Sequence, residues 1–212
     1  DQNGLWYHFK PYDTFNGKYE DTGGSFVCSG LCPKGHYCVE GSSYPEACPP
    51  GTNSSSPQLK ALSDCAPCFK GYYCPHFGTI MAERKCPAGY YCPTGTIDPT
   101  KNSSLLCPAG HRCPLGTAEP IKCDPGQFQP NNGSYVCETC PAGEYCQTYG
   151  LTATTGDCPK GSYCPLNSTD PILCPSGTFN NLTRRAALED CEYCTPGYYC
   201  ADAGLSVPNG LC

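Results

Sequence analysis

Long apolar runs are missing from this 212-residue chain: nowhere do about 18 apolar residues follow one another, so no stretch is written to cross a bilayer as a helix. Leu, Ile, Val and Phe are scarce, Met and Trp occur once each, and a hydrocarbon core large enough to offset chain ordering is therefore excluded. Lys and Arg are scattered, with no basic cluster of five or more, which argues against nucleic acid as a partner. The net charge of -6 is mild and reads as solubility. No preferred Ser, His, Asp set can be assembled, and the four histidines, His8, His36, His76 and His111, stand apart from one another. The Asp-x-Asp-Glu calcium signature before a cysteine is absent, although Asp64 and the pair Glu189 and Asp190 precede cysteines. Numbering opens at Asp1 without a signal-peptide pattern, as in a processed protein or a piece of something longer.

What is present is cysteine, glycine and proline: 22, 24 and 23 residues, about a third of the chain. One cysteine in about ten residues implies a stapled fold and an oxidising compartment, hence a secreted or cell-surface protein. The cysteines are periodic. Cys32, Cys48, Cys68, Cys86, Cys107, Cys123, Cys140, Cys158, Cys174 and Cys194 are each followed three residues later by glycine, and eight of these ten have an aromatic two positions beyond it. The steps run from 16 to 21 residues, and Cys212 is placed to open an eleventh repeat. A repeat so short cannot bury a core by itself and must rely on cross-links and on stacking against neighbours.

Two kinds of repeat alternate. Short ones are Cys, five residues, Cys, as in CPKGHYC (32–38), CFKGYYC (68–74), CPAGYYC (86–92), CPAGHRC (107–113), CPAGEYC (140–146), CPKGSYC (158–164) and CTPGYYC (194–200). Long ones run 14 to 17 residues before a second cysteine, which begins a Cys-x-x-Cys whose last member opens the next repeat. Cys32, Cys86, Cys140 and Cys194 lie 54 residues apart, although the order of short and long repeats changes between blocks. This divides the chain into an aromatic N-terminal arm (1–27), repeat blocks at 28–67, 68–139 (with one extra short repeat) and 140–193, and the start of a fourth block at 194–212. The arm holds Trp6, Tyr7, Phe9, Tyr12 and Phe15, and its TFNGKYE (14–20) keeps Gly17 and Tyr19 in repeat register while lacking the cysteines, as an eroded first repeat would.

The CPxGxYC and CPxGT…CxxC repeats resemble the ephrin-receptor-like cysteine-rich repeats, related in style to tumour necrosis factor receptor modules and EGF-like domains. The resemblance covers residues 28–212. Similar arrays occur in receptor ectodomains, in protist surface proteins and in the mastigoneme fibres of algal flagella. It implies a fold class of small disulfide-rich repeats: an elongated rod of stacked 16–21-residue repeats with short two-stranded ribbons and almost no helix, only AALED (186–190) looking helical. It also implies local disulfides. For the long repeats, the pairings favoured from the residues themselves are Cys48 with Cys65, Cys123 with Cys137 and Cys174 with Cys191. Adjacent short repeats can cross, Cys68 with Cys86, Cys74 with Cys92, Cys140 with Cys158 and Cys146 with Cys164, while Cys107 and Cys113 pair locally; connectivity stays open at this point. That scheme leaves one spare cysteine among Cys28, Cys32 and Cys38 and one among Cys194, Cys200 and Cys212.

Expected sites are accordingly surfaces. Five sequons, at Asn53, Asn102, Asn132, Asn167 and Asn181, mark candidate N-glycosylation in the longer gaps between cysteines. Candidate interface residues are Trp6, Tyr7, Phe9, Tyr12 and Phe15 with Cys28, Cys200 and Cys212. Tyr37, Tyr73, Tyr91, Tyr145, Tyr163 and Tyr199 are read as stacking on the disulfide of their own repeat. CAPC, CETC and CEYC lack the βαβ frame of a redox dithiol and the knuckle spacing of a zinc ribbon. No catalytic residue, metal ligand or cofactor is expected beyond N-linked glycans. The reading is a non-enzymatic structural extracellular glycoprotein that associates head to tail into a surface fibre or filament; its alternative is a receptor ectodomain or adhesion stalk with a protein ligand.

Overall fold

The computed structural model describes residues 31–212; the aromatic arm, its eroded repeat and Cys28 lie outside the described residues. Each repeat begins with a tight turn. In the repeat opening at Cys158, the Ser162 N–H donates to the Pro159 carbonyl at 3.2 Å, and Gly161 between them has φ +78°. Positive φ at the third position of such a turn favours glycine, which explains the spacing from cysteine to glycine. Two extended residues follow, ending at the aromatic position. They pair antiparallel with the dipeptide just before the next opening cysteine: Ser162–Tyr163 with Ile172–Leu173, Tyr72–Tyr73 with Arg84–Lys85. Nine such ribbons occur among the described residues, each of two residues per strand. No α-helix is present there; Leu188–Asp190, within the stretch expected to look helical, is a single 3-10 turn.

The disulfides close individual repeats. Seven join cysteines six residues apart: Cys32–Cys38, Cys68–Cys74, Cys86–Cys92, Cys107–Cys113, Cys140–Cys146, Cys158–Cys164 and Cys194–Cys200. Three close the long repeats, Cys48–Cys65, Cys123–Cys137 and Cys174–Cys191. The crossed arrangement of adjacent short repeats is therefore corrected: the turn and the first strand bring the two cysteines of each CPxGxYC together, leaving nothing for the neighbour to bridge. Apart from Ala47, Phe179 and Pro99, the buried apolar side chains among the described residues are half-cystines.

The described chain forms two compact bodies, one of residues 31–87, 91–105 and 116–119, the other of 88–90, 106–115 and 120–212. Within each, successive repeats are joined by the same backbone hydrogen bonds. In the second body, the Cys174 N–H donates to the Gly161 carbonyl (2.9 Å), Gly161 N–H to Asn180 (2.8 Å), Cys164 N–H to Arg185 (2.8 Å) and Arg184 N–H to Cys158 (2.9 Å). In the first, Cys68 donates to Gly51 (2.8 Å), Gly51 to Cys74 (2.8 Å), Ser54 to Thr79 (3.0 Å) and Gly78 to Cys48 (2.9 Å). The ladder satisfies backbone groups that a fold with so little regular structure would otherwise leave to water.

A second positive-φ position, nine or ten residues after the opening cysteine, supplies one rung of this ladder. Glycine holds it at Gly78, Gly95, Gly116, Gly133, Gly150 and Gly204, while Gln58, Asn167 and Arg184 occupy it at φ 67°, 69° and 60°. Its carbonyl lies against the turn glycine two repeats earlier. A Cβ on Gly71 would sit 2.6 Å from the Gly116 carbonyl oxygen, one on Gly143 2.6 Å from that of Arg184, and one on Gly51 2.8 Å from that of Gly95. Gly177 has the same backbone conformation, φ +85°, with open space around it. Gly71→Ala is expected to lose about 3 kcal/mol, from left-handed strain plus displaced packing, and Gly177→Ala about 1 kcal/mol from strain alone. Chemical denaturation of the unreduced variants measures the difference, and equal losses would refute the close approach.

Candidate functional site

The long repeats lack the half-cystine six residues after their opening cysteine. Ser54, Gln129 and Asn180 stand there instead, all buried. Their side chains bond locally: Gln129 Nε2 donates to the Val136 carbonyl (2.9 Å), Asn180 Nδ2 to that of Ser162 (2.9 Å) and Ser54 Oγ to that of Ser56 (2.9 Å). Each keeps its place in the ladder, because the Gly35, Gly110 and Gly161 N–H groups donate to their carbonyls.

Acidic residues before cysteines have a structural use. The Asp190 carboxylate accepts from the N–H groups of Ala186 (2.9 Å) and Ala187 (3.0 Å), and Asp64 accepts from Lys60 (2.9 Å) and Ala61 (3.0 Å). The bonds from Ala187 and Ala186, with the nearby Arg185 charge, hold the Asp190 carboxyl below its ordinary range. Both carboxylates close the single 3-10 turn that leads into the second cysteine of a long repeat. All six cysteines of CAPC, CETC and CEYC are in disulfides, the first closing its own repeat and the last closing the next.

Charge is paired across strands and across repeats. Glu144 and Asp157 face each other in one ribbon, and Arg184 bonds Glu144 and approaches Asp157 at 3.4 Å. Tyr37 faces Glu46 in its ribbon and donates its hydroxyl to Glu46 Oε2. That bond, with partial burial and the carboxylate charge, pushes the Tyr37 phenol up to about 12. A raised folded-state pKa makes the contribution to stability complete below the ordinary tyrosine value of about 10 and lost as pH rises through about 12. Elsewhere the aromatic covers its partner strand: Tyr145 faces Gly156 and Tyr199 faces Gly210, each ring lying over the glycine.

The structure separates the sequons. Asn102, Asn132, Asn167 and Asn181 are exposed. Asn53 is 4% exposed, in the strand Thr52–Asn53, and its Nδ2 has no hydrogen-bond partner. Cys212 is the free cysteine among the described residues and is exposed, with its N–H already bonded to the Gly197 carbonyl at 2.9 Å. Cys200 is corrected as an interface candidate: it is buried and closed with Cys194. Trp6, Tyr7, Phe9, Tyr12, Phe15 and Cys28 lie outside the described residues. Sequence reasoning missed the second positive-φ position, Arg184 and the buried Ser54, Gln129 and Asn180. The glycines at that position were a readable signal; the polar substitutes were not.

Two outcomes follow from this geometry. Glycopeptide mass spectrometry is expected to find Asn53 unmodified in the folded secreted protein, since a glycan on a buried amide nitrogen would displace the strand; full occupancy at Asn53 would contradict the burial. Ultraviolet difference titration is expected to show one tyrosine ionising near pH 12, and Glu46→Gln should bring it back toward about 10.

No protein-family model matches this chain. Over 126 residues, 52% of the chain, it is 28% identical to ABC transporter G family member 25 of Oryza sativa subsp. japonica, and that stretch is 10% of the rice protein. The chain thus spans about a tenth of the length of this curated relative, a similarity that shows neither a family nor an activity. No helix among the described residues is long and apolar enough to cross a membrane. With its disulfides, ribbons and repeated ladder, the chain is a cysteine-rich repeat protein.

Proposed function

We propose that this chain is a non-enzymatic structural glycoprotein of the extracellular space, an EGF-like or ephrin-receptor-like repeat protomer that associates head to tail into a surface fibre or filament. The observation that carries this reading is the ladder. Within each body, a repeat offers one set of groups to the repeat before it and a different, complementary set to the repeat after it, as Gly161 and Cys158 do toward 174–185. Such contacts are heterologous, and heterologous contacts that do not close into a ring propagate. Disulfide density supports an oxidising location. The exposed sequon asparagines support a glycan coat, and the aromatic arm is the docking element.

A second reading, a receptor ectodomain or adhesion stalk, draws on exposed apolar side chains in the turns, Leu115, Tyr149 and Leu166 among them. In that case a protein ligand binds along the side of the repeats. Electron microscopy and non-reducing electrophoresis of the native full chain, with and without residues 1–27, distinguish the two. Fibres that vanish on deletion are expected for the filament. A monomer at every concentration and ionic strength would rule it out, and ligand binding that survives the deletion is expected for the stalk.

A further inference from the structure

The repeat opening at Cys86 departs from the rest. Where other repeats bring up a second strand, it makes a single bridge, Tyr90 with Leu106, and inserts two 3-10 turns, Pro99–Lys101 and Ser103–Leu105. The insert is well tied. Asp98 Oδ1 accepts from the Thr100 N–H (3.0 Å) and hydroxyl (2.7 Å), Pro99 is buried, and the Tyr91 hydroxyl donates to the Ser104 carbonyl at 3.0 Å. Those Thr100 bonds, the hydroxyl's first, with Lys101 beside them, hold the Asp98 carboxyl below its ordinary range.

Between this insert and the turn at 93–97 lies an open cleft of about 440 Å³, contained within one body. Ile97, 52% exposed, and Leu105 give it apolar surface, while Thr94, Asp98 and Lys101 bring polar groups. The volume is that of a site for a small ligand. Asn102, of the sequon Asn102-Ser103-Ser104, is also in its wall. The Asn102 Oδ1 accepts from both the Ser104 N–H (3.1 Å) and the Ser104 hydroxyl (2.7 Å). Its amide is thereby held at the oxygen, and Nδ2, the atom that bears an N-glycan, is the remaining end. A sugar ring with an apolar face, a hydroxylated edge and an acetamido group matches a cleft of this mixed character.

We propose that the glycan on Asn102 is seated rather than projecting: its first N-acetylglucosamine residues occupy this cleft, ring face toward Ile97 and Leu105, hydroxyls toward Thr94, Asp98 and Lys101. The inference rests on the glycoprotein reading above and adds a site where the sugar becomes part of the fold. It fills a recess that the insert creates and covers apolar surface otherwise left to water.

The test uses the full chain secreted from a eukaryotic host. Site-by-site mass spectrometry first establishes occupancy; the time course of enzymatic glycan release is then followed on native and on reduced, unfolded protein. The Asn102 glycan is expected to be released about tenfold more slowly than those of Asn132 and Asn181 from native protein, and at the same rate after unfolding, the pattern of a site that must open first. Ile97→Ser is expected to abolish the lag without changing occupancy. Equal native release at the three sites overturns the seat, as does an empty Asn102 beside occupied Asn132 and Asn181. Sugar at none of the sequons is the separate outcome in which the glycoprotein reading itself fails, and the seat with it. The comparison within the unmutated protein decides the matter even if the Ile97 variant does not fold.

Discussion

Cystine sulfur does here what hydrocarbon does in most domains. A two-residue ribbon has almost no stability of its own, and nearly all the fully covered apolar side chains are half-cystines. In the chain-entropy account, a bridge closing a short CPxGxYC loop contributes about 2 kcal/mol and one closing a long repeat about 3 kcal/mol, by restricting the unfolded chain. Ten of them among the described residues replace the apolar area that the composition cannot provide. Turn, ribbon and ladder all depend on that restriction, because each is too small to persist without it.

Given closed loops, two left-handed backbone positions per repeat determine how neighbours meet. The turn glycine accepts a close carbonyl; the second position supplies it. Three of these second positions are not glycine, and they differ in what offsets the strain. Arg184 tolerates φ 60° and in return neutralises Glu144 and Asp157, two carboxylates that would repel across one ribbon. Asn167 is a residue type that adopts this region more readily than most. No comparable compensation is seen for Gln58.

The repeat boundaries and the ribbons could be read from the chain because the turn chemistry is local: cysteine, proline and glycine fix a turn within four residues. Connectivity between short repeats could not be read that way. Crossed and local pairings have the same sequence, and what decides between them is the path of the first strand, which carries Cys38 or Cys164 back over its own opening cysteine. The second glycine was visible at Gly78, Gly95 and Gly116 but drifts by one residue and is masked by Gln58, Asn167 and Arg184, so the ladder it completes escaped notice. Of the site residues, exposure at Asn132 and Asn181 agrees with their place in polar loops, whereas the burial of Asn53 depends on a strand whose partner begins at Ala66.

The short loops also bear on how such a chain is made. A cysteine six residues from its partner finds it without waiting for distant sequence, so oxidation can follow synthesis from the N-terminal repeats onward with few wrong choices available. Packing is slower to complete. A turn glycine such as Gly71 meets its carbonyl only once Gly116 has been added, so each newly closed loop stays incompletely covered until two further repeats have left the ribosome. Covalent closure precedes burial during biosynthesis, and the interval between them is when a folding factor would find these loops exposed.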